Sequence, residues 1–446
     1  MKPPLDFGNF WNLSQKNIFL NSNELVPSDS DYLPWEEDTD LIKSPKAKEL
    51  KNHISAYIYS LVRSLELEAC WLISCSNNEF KILLGEKMGW DARFLEALHT
   101  RMFEKLTMKY IPKVSSDYNR NFASAKSLQT EAEIASFLYA LSQDLSSNIQ
   151  NYLNLSDAIA DAPTYLTLRH LLTDLTNVLN QLHGWSVQDF TIYSLSQQCD
   201  TVVYYSGMEE MPAIASFPGR APNLQFSETS IVTHHSYADL MTDNEKLRRF
   251  SHYVYVDVEI GAMEVCAKNL VAYRWMPLDF KLDMARQIWD EARHAIIMRR
   301  LLESIGGKEG DYTYSAKVWK KCEKGSNLAE RLAIQQVFQE GNALESNFLL
   351  TDAFSTSSHN EMAYYMDCIN ADEAVHVRIG NVWMQYLLGG NYDNYRATME
   401  KAVKLINATL SSNVVVNHNA RNISAFPSDF VNMLEQNNKI HGYRKS

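Results

Sequence analysis

The chain has 446 residues and a mass of 51.1 kDa, more than one hydrophobic core usually serves, so about two or three domains are expected. A composition of 46% hydrophobic and 22% charged residues, with a mean hydropathy of −0.30, excludes a disordered, collagen-like or membrane-spanning chain. The formal charge of −12, from 42 Lys and Arg against 54 Asp and Glu, leaves no basic field to gather phosphates; it excludes nucleic acid and favours a small molecule or another protein as partner.

Residues 1–50 combine Pro3, Pro4, Pro27, Pro34 and Pro45 with an acidic cluster from Glu36 to Asp40, which predicts an irregular arm. Residues 51–185 predict a helical bundle. Apolar residues recur at helical spacing from His53 to Cys75, Glu79 to Lys109, Glu131 to Leu153 and Pro163 to His183, and Pro163 suits a first helical turn. Residues 186–245 read as a connector with little regular structure, containing the strand-like Thr201 to Tyr205 and the turn-rich Phe217 to Pro222. Over residues 246–390 helical periodicity returns, broken near Pro277, at Gly306-Gly307, at Lys324 to Ser326 and at Ser355 to Asn360, which cuts four helices. Residues 391–446 predict a last helix near Tyr392 to Leu410 and a polar, Asn-rich tail without evident chemistry. The fold class is all-α.

The six cysteines, Cys70, Cys75, Cys199, Cys266, Cys322 and Cys368, include no CxxC pair and read as reduced thiols. The opening MKPPLDFGNFWNLSQ has no basic region followed by an apolar run, and no stretch approaches about eighteen uninterrupted apolar residues, so a cytoplasmic location away from the membrane is expected. Neither GxGxxG nor GxxxxGK occurs, so no nucleotide or dinucleotide cofactor is expected.

The chemistry lies in 246–390. Trp289-Asp290-Glu291-Ala292-Arg293-His294 and Ala371-Asp372-Glu373-Ala374-Val375-His376 each contain an ExxH run. Three residues of α-helix turn about 300°, so each Glu and His share a face and can grip one metal ion. With 12 histidines in the chain, about one ExxH is expected by accident. A third, Glu96-Ala97-Leu98-His99, stands in the first bundle; what sets the other two apart is that Glu259 precedes Glu291 by 32 residues and Glu340 precedes Glu373 by 33. The midpoints fall at Trp275-Met276-Pro277 and Thr356-Ser357, among helix breakers, so each half predicts a helical hairpin with its two ligand levels at one height. Lys308 to Ser326 is long enough to cross a bundle and bring the two hairpins together. Four carboxylates and two imidazoles then converge on one buried site with room for two metals. Burial without cations would cost several kcal/mol per carboxylate, and oxygen and imidazole ligands without thiolate suit iron or manganese better than structural zinc.

One Glu from each of two helices plus ExxH from each of the other two, in this order, resembles the ferritin-like di-iron carboxylate superfamily. Asp-Glu-Ala-Arg-His at 290–294 is similar to the motif of its oxygen-activating members, such as bacterial multicomponent monooxygenases, more than to that of ferritins. The resemblance implies a ferritin-like four-helix bundle with a dimetal site over about 246–390; the helical bundle before it offers no second ExxH and reads as metal-free, a degenerate duplicate whose Trp90 to Phe94 echoes Trp289 to His294. The resemblance also implies Glu291 and Glu373 as bridging ligands, and Asp290 toward His376 and Asp372 toward His294 as the groups orienting the metal-bound rings. Val375 departs from the pattern at the Arg position of the second copy, which leaves the partner of Arg293 open.

The expected function is that of a non-haem di-iron oxygenase or oxidase. Glu259, Glu291 and His294 would hold one iron and Glu340, Glu373 and His376 the other, with Mn/Fe as an alternative pair and O₂ as cosubstrate. The reaction would oxidise a small organic substrate by hydroxylation, N-oxygenation, desaturation or C–C cleavage, with no catalytic residue beyond the ligands. Electrons would come from an external donor or from the substrate, and a homodimer is compatible with the sequence. The rivals are an iron-oxidising storage protein and a radical-generating subunit resembling the small subunit of ribonucleotide reductase. Glu264 and Glu345 follow the lone glutamates by five residues, about 140° around an α-helix, and are left outside the ligand set. Tyr253, Tyr255, Trp289, Phe338, Tyr364, Tyr365 and Trp383 read chiefly as core, while His234, His235 and His359 are poorly placed for the shared site.

Overall fold

The structure, a computed structural model, describes residues 45–106, 111–187, 189–196, 201–228, 236–410 and 415–441. The arm up to residue 44, Cys199, His234 and His235 lie outside the described residues. The fold is all-α, and the strands among the described residues form one two-stranded sheet. No helix among the described residues is long and apolar enough to cross a membrane. The chain divides into two compact units, the first reaching Gly219 and including Leu270–Arg286, the second comprising Arg220–Asn269 and the chain from Gln287 onward.

The first unit contains α1 (Pro45–Ser74), α2 (Asn78–Leu106), β1 (Lys113–Ser115), α3 (Ser116–Ala125), α4 (Glu131–Leu155), α5 (Ala162–His183) and β2 (Val202–Tyr204). Thr130 and Glu133 cap α4 reciprocally, each side chain accepting from the other's backbone N–H, and Pro163 occupies the first turn of α5. Ile54, Leu65, Leu72, Phe80, Leu84, Phe122 and Phe137 fill the core. The strand-like Val202–Tyr204 pairs antiparallel with β1, Lys113 opposite Tyr204. Both β1 and α3 escaped the sequence reading, because three strand residues and a ten-residue helix show too little periodicity to register.

Buried charges in this unit are matched locally. Glu66 accepts from Arg63 at 2.9 Å, Arg274 at 2.8 Å and Lys281 at 3.0 Å, and Lys87 reaches Glu68 at 2.5 Å and Asp91 at 2.7 Å. Removing one member of such a group would strand a charge away from water.

Two hairpins follow; the second lies wholly in the second unit, and so does the first apart from its turn end, Leu270–Arg286. In the first, α6 (Tyr237–Thr242) leads into α7 (Asn244–Tyr253), a π-helical segment (Val254–Glu259) and α8 (Ile260–Ala272), which returns as α9 (Leu278–Ser304). After α10 (Lys317–Cys322) the second hairpin runs through α11 (Leu328–Leu332), a second π-helical segment (Ala333–Glu340) and α12 (Gly341–Ser355), and returns as α13 (Glu361–Leu387). The turns stand at residues 273–277 and 356–360, where the ligand spacing places them. Each π-helical segment ends on a lone glutamate of the repeated motif.

The carboxyl-terminal region departs from its expectation. The helix expected to reach Leu410 is α14 (Tyr392–Leu405), and beyond it lie α15 (His418–Ile423) and α16 (Ser428–His441). Val416, Ala420, Phe426, Phe430, Val431 and Leu434 from this supposed polar tail share a core with Ile334, Val337, Leu344, Val377 and Met384 of the second hairpin. Their spacing is helical, but the surrounding Asn, Ser and Arg residues dilute it.

Gly380 sets the distance between α13 and the second π-helical segment. A Cβ there would fall far inside contact distance of Gln336 Cβ and 3.2 Å from Val337 Cγ2. Gly380→Ala should therefore destabilise the second unit by about 1–3 kcal/mol. A lower melting temperature of the full chain would report it; an unchanged one would mean that the two helices are free to separate.

Candidate metal centre

Glu259 and Glu340 close the two π-helical segments, while Glu291/His294 and Glu373/His376 project from the middle of α9 and α13. Each ExxH pair sits one turn apart on its helix. All six side chains are buried, both histidines completely. Ligand atoms of Glu259, Glu291, His294 and Glu373 lie within 4.8 Å of one another, as do those of Glu291, Glu340 and His376. The six residues singled out in the sequence thus fall into two adjacent groups with Glu291 in both.

The imidazoles define the polarity of the centre. His294 Nδ1 is 3.2 Å from Glu291 Oε2 and 3.8 Å from Glu373 Oε1; His376 Nδ1 is 3.4 Å from Glu291 Oε1 and 3.8 Å from Glu373 Oε2. Glu291 and Glu373 therefore each offer one oxygen to each ring. The other ring nitrogens point outward, His294 Nε2 to Asp372 Oδ2 at 3.3 Å and His376 Nε2 to Asp290 Oδ2 at 3.2 Å. Ionised Asp can only accept, so in a neutral ring Nε2–H donates and Nδ1 is left as the inward lone pair. These contacts are the crossed Asp–His pairs that the family resemblance implies.

Arg293 spans both outer carboxylates, donating from Nη2 to Asp290 and, at 2.9 Å, to Asp372. This supplies the partner that the sequence left open. One guanidinium serves both aspartates, so the second motif has no need of an arginine where Val375 stands.

Glu264 and Glu345 are engaged away from the ligand groups by parallel devices. Arg220 grips Glu264 through both guanidinium nitrogens, Nη2 at 2.8 Å from Oε2, and lies over the ring of Tyr314. Arg421 grips Glu345 at 2.7 and 2.9 Å, also donates to the Gly341 carbonyl, and lies over Phe426. Sequence reasoning missed both arginines. The matched five-residue step from ligand to second glutamate was the available signal, but it names no partner 44 or 76 residues away.

Other candidates are dispersed. Glu96 is exposed while His99 is partly buried, its ring held down near a pKa of about 4 by burial. Tyr364 and Tyr365 are exposed, His359 lies in the second hairpin turn, and the Tyr255 hydroxyl donates to Glu309. Phe338 and Trp383 are buried, whereas Tyr253 and Trp289 are half-buried.

Residues 186–432, more than half of the chain, match a family described as "Protein of unknown function (DUF455)", and the chain belongs to that family. No curated protein and no solved structure matches it.

The donor set fits divalent ions, because the centre is unbalanced without them. Glu340 Oε2, Glu373 Oε2 and His376 Nδ1 are buried without a hydrogen-bond partner. Burial and then the charge of Glu291 push Glu259 far above the usual carboxylate range, and burial and then Glu373 do the same to Glu340. Burial opposes charge on His294, but bonds to Asp372 and Glu291 outweigh it and raise the ring to about 10; His376 is raised against burial by Asp290, Glu291 and Glu373. These shifts favour protons on both rings and on the lone glutamates of the metal-free centre. Divalent ions must displace them, so loading should release protons and tighten as pH rises. Calorimetric titration in buffers of different ionisation enthalpy measures the release; binding with none would overturn this ligand set.

Proposed function

We propose that this member of the DUF455 family is a non-haem di-iron oxygenase or oxidase that uses O₂ to oxidise a small organic substrate, with a Mn/Fe pair as the alternative cofactor. The observation that carries the reading is the pair of ligand groups joined through Glu291, with three buried donor atoms left without partners. A ferritin-like arrangement of the two hairpins accounts for that geometry. Glu259, Glu291 and His294, with Glu373, would hold one ion; Glu340 and His376, with Glu291, would hold the other. Glu373 faces both imidazoles as Glu291 does and is the second bridging candidate.

Bound iron would supply two-electron reduction of O₂ and oxidation of a nearby C–H or N–H bond. The protein's own groups perform the remaining work. Asp290 and Asp372 orient the two rings, Arg293 fixes both aspartates, and the burial of all six ligand side chains keeps bulk water from them. The electrons come from an external donor or from the substrate.

Anaerobic Fe(II) loading should give about two irons per chain, with transient visible absorption on mixing with O₂. Glu373→Ala should bind at most about one. Two irons and an unchanged absorption in that variant would sink the assignment, and growth of a mineral core in a very large assembly would replace the oxygenase reading with iron storage.

A further inference from the structure

Two amides converge on one oxygen of Glu340. Gln287 Nε2 donates to Oε1 at 2.9 Å and Gln335 Nε2 to the same atom at 3.0 Å, while Oε2 has no partner. Both glutamines are buried. Gln335 is further held from behind: Lys321 Nζ donates to Gln339 Oε1 at 2.9 Å, and Gln339 Nε2 donates to Gln335 Oε1 at 2.6 Å. An ammonium only donates, so Lys321 fixes the orientation of the Gln339 amide and, through it, that of Gln335, whose amino group is left for Glu340. On the other side Gln336 Nε2 donates to Gln287 Oε1 at 3.2 Å, turning the Gln287 amino group toward Glu340 and, at 3.3 Å, toward Glu291.

The backbone is wound to allow this. Gln335 and Glu340 are five residues apart, and an α-helix would turn them about 140° away from each other. The i→i+5 winding of Ala333–Glu340 stacks them on one side instead. The corresponding positions of the other half of the motif are apolar: Val254 stands five residues before Glu259, and Ile369 stands four before Glu373, where Gln287 precedes Glu291.

We infer that Gln335 and Gln287 are positioning residues that occupy Glu340 Oε1 and dedicate Oε2 to the ion held with Glu291 and His376, making the two metal positions unequal. The inference rests on the dimetal reading and deepens it. Gln335 touches only Glu340 among the ligands, whereas Gln287 touches Glu340 and the shared Glu291, so the two side chains have separable effects.

The test is anaerobic Co(II) titration of the metal-free full-length protein, followed by equilibrium dialysis and the visible cobalt spectrum. Wild type should bind two ions. Gln335→Leu should keep one at wild-type affinity and weaken the other by about 10- to 100-fold; Gln287→Leu should weaken both. Circular dichroism and melting of the metal-free variants check that they fold. If Gln335→Leu does not fold, Gln339→Leu, which removes the acceptor of Lys321 and releases the Gln335 amide but alters no residue bonded to a ligand, should show a smaller loss confined to one ion. Wild-type binding by Gln335→Leu, or equal weakening of both ions in it, would overturn the positioning role. A wild-type protein that fails to bind two ions would instead remove the dimetal reading and this inference with it.

Discussion

Four carboxylates and two imidazoles buried within a few ångströms of one another make charge neutralisation the constraint on which the second unit depends. Each ionised carboxylate taken from water without a partner costs several kcal/mol. In the metal-free chain the cost is limited by proton storage, with both rings holding charge and Glu259 and Glu340 pushed toward their neutral forms. Two divalent ions would cancel the four carboxylate charges and free the rings to act as neutral donors. The aspartates behind them then gain a clear role: each accepts one Nε2–H, and Arg293 moderates their own charge from the more exposed side.

A second consequence falls on the backbone. Regular α-helices could carry the ExxH pairs, since a three-residue step suits them, but both lone glutamates are delivered at the ends of π-helical segments. Such winding sacrifices regular i→i−4 bonding and needs support from outside. It finds support one and a half turns farther on, where Glu264 and Glu345 are clamped by Arg220 and Arg421 from segments that precede the first hairpin and follow the second. Gly380 adds to it by letting α13 approach the second π-helical segment at Gln336. The connector and the carboxyl-terminal helices are therefore parts of the centre's scaffold.

These features divide sharply in how legible they were. Glu259, Glu291, His294, Glu340, Glu373 and His376 could be picked from the chain because ligand chemistry demands residue type and spacing together, and because the motif occurs twice with breakers at both midpoints. The long helices were legible from apolar periodicity. The π-helical winding was not, since i→i+5 bonding leaves no compositional trace in a segment such as AIQQVFQE. Arg220 and Arg421 were hidden by sequence distance, and α15 and α16 by polar residues between their apolar ones. The glutamines around Glu340 were hidden for a further reason: Gln335 reaches Glu340 only because the backbone departs from the α-helical turn by which the sequence was read.

The first unit meets a related problem by different means. Trp90-Asp91 echoes Trp289-Asp290, and Asp91, like Asp290, is buried among charges. There the cation is the Lys87 ammonium, covalently part of the chain and in contact with both Glu68 and Asp91, while burial and the nearby Glu68 push Asp91 toward its neutral form. An ammonium of this kind is always present, has one charge state over the working pH range and cannot exchange electrons. It stabilises a buried cluster without giving it chemistry. The second unit has no lysine among its six convergent side chains and leaves three donor atoms facing inward without partners. On the proposed reading, the cation that would neutralise that centre comes from solution, and such a cation can be chosen for its redox chemistry as well as its charge.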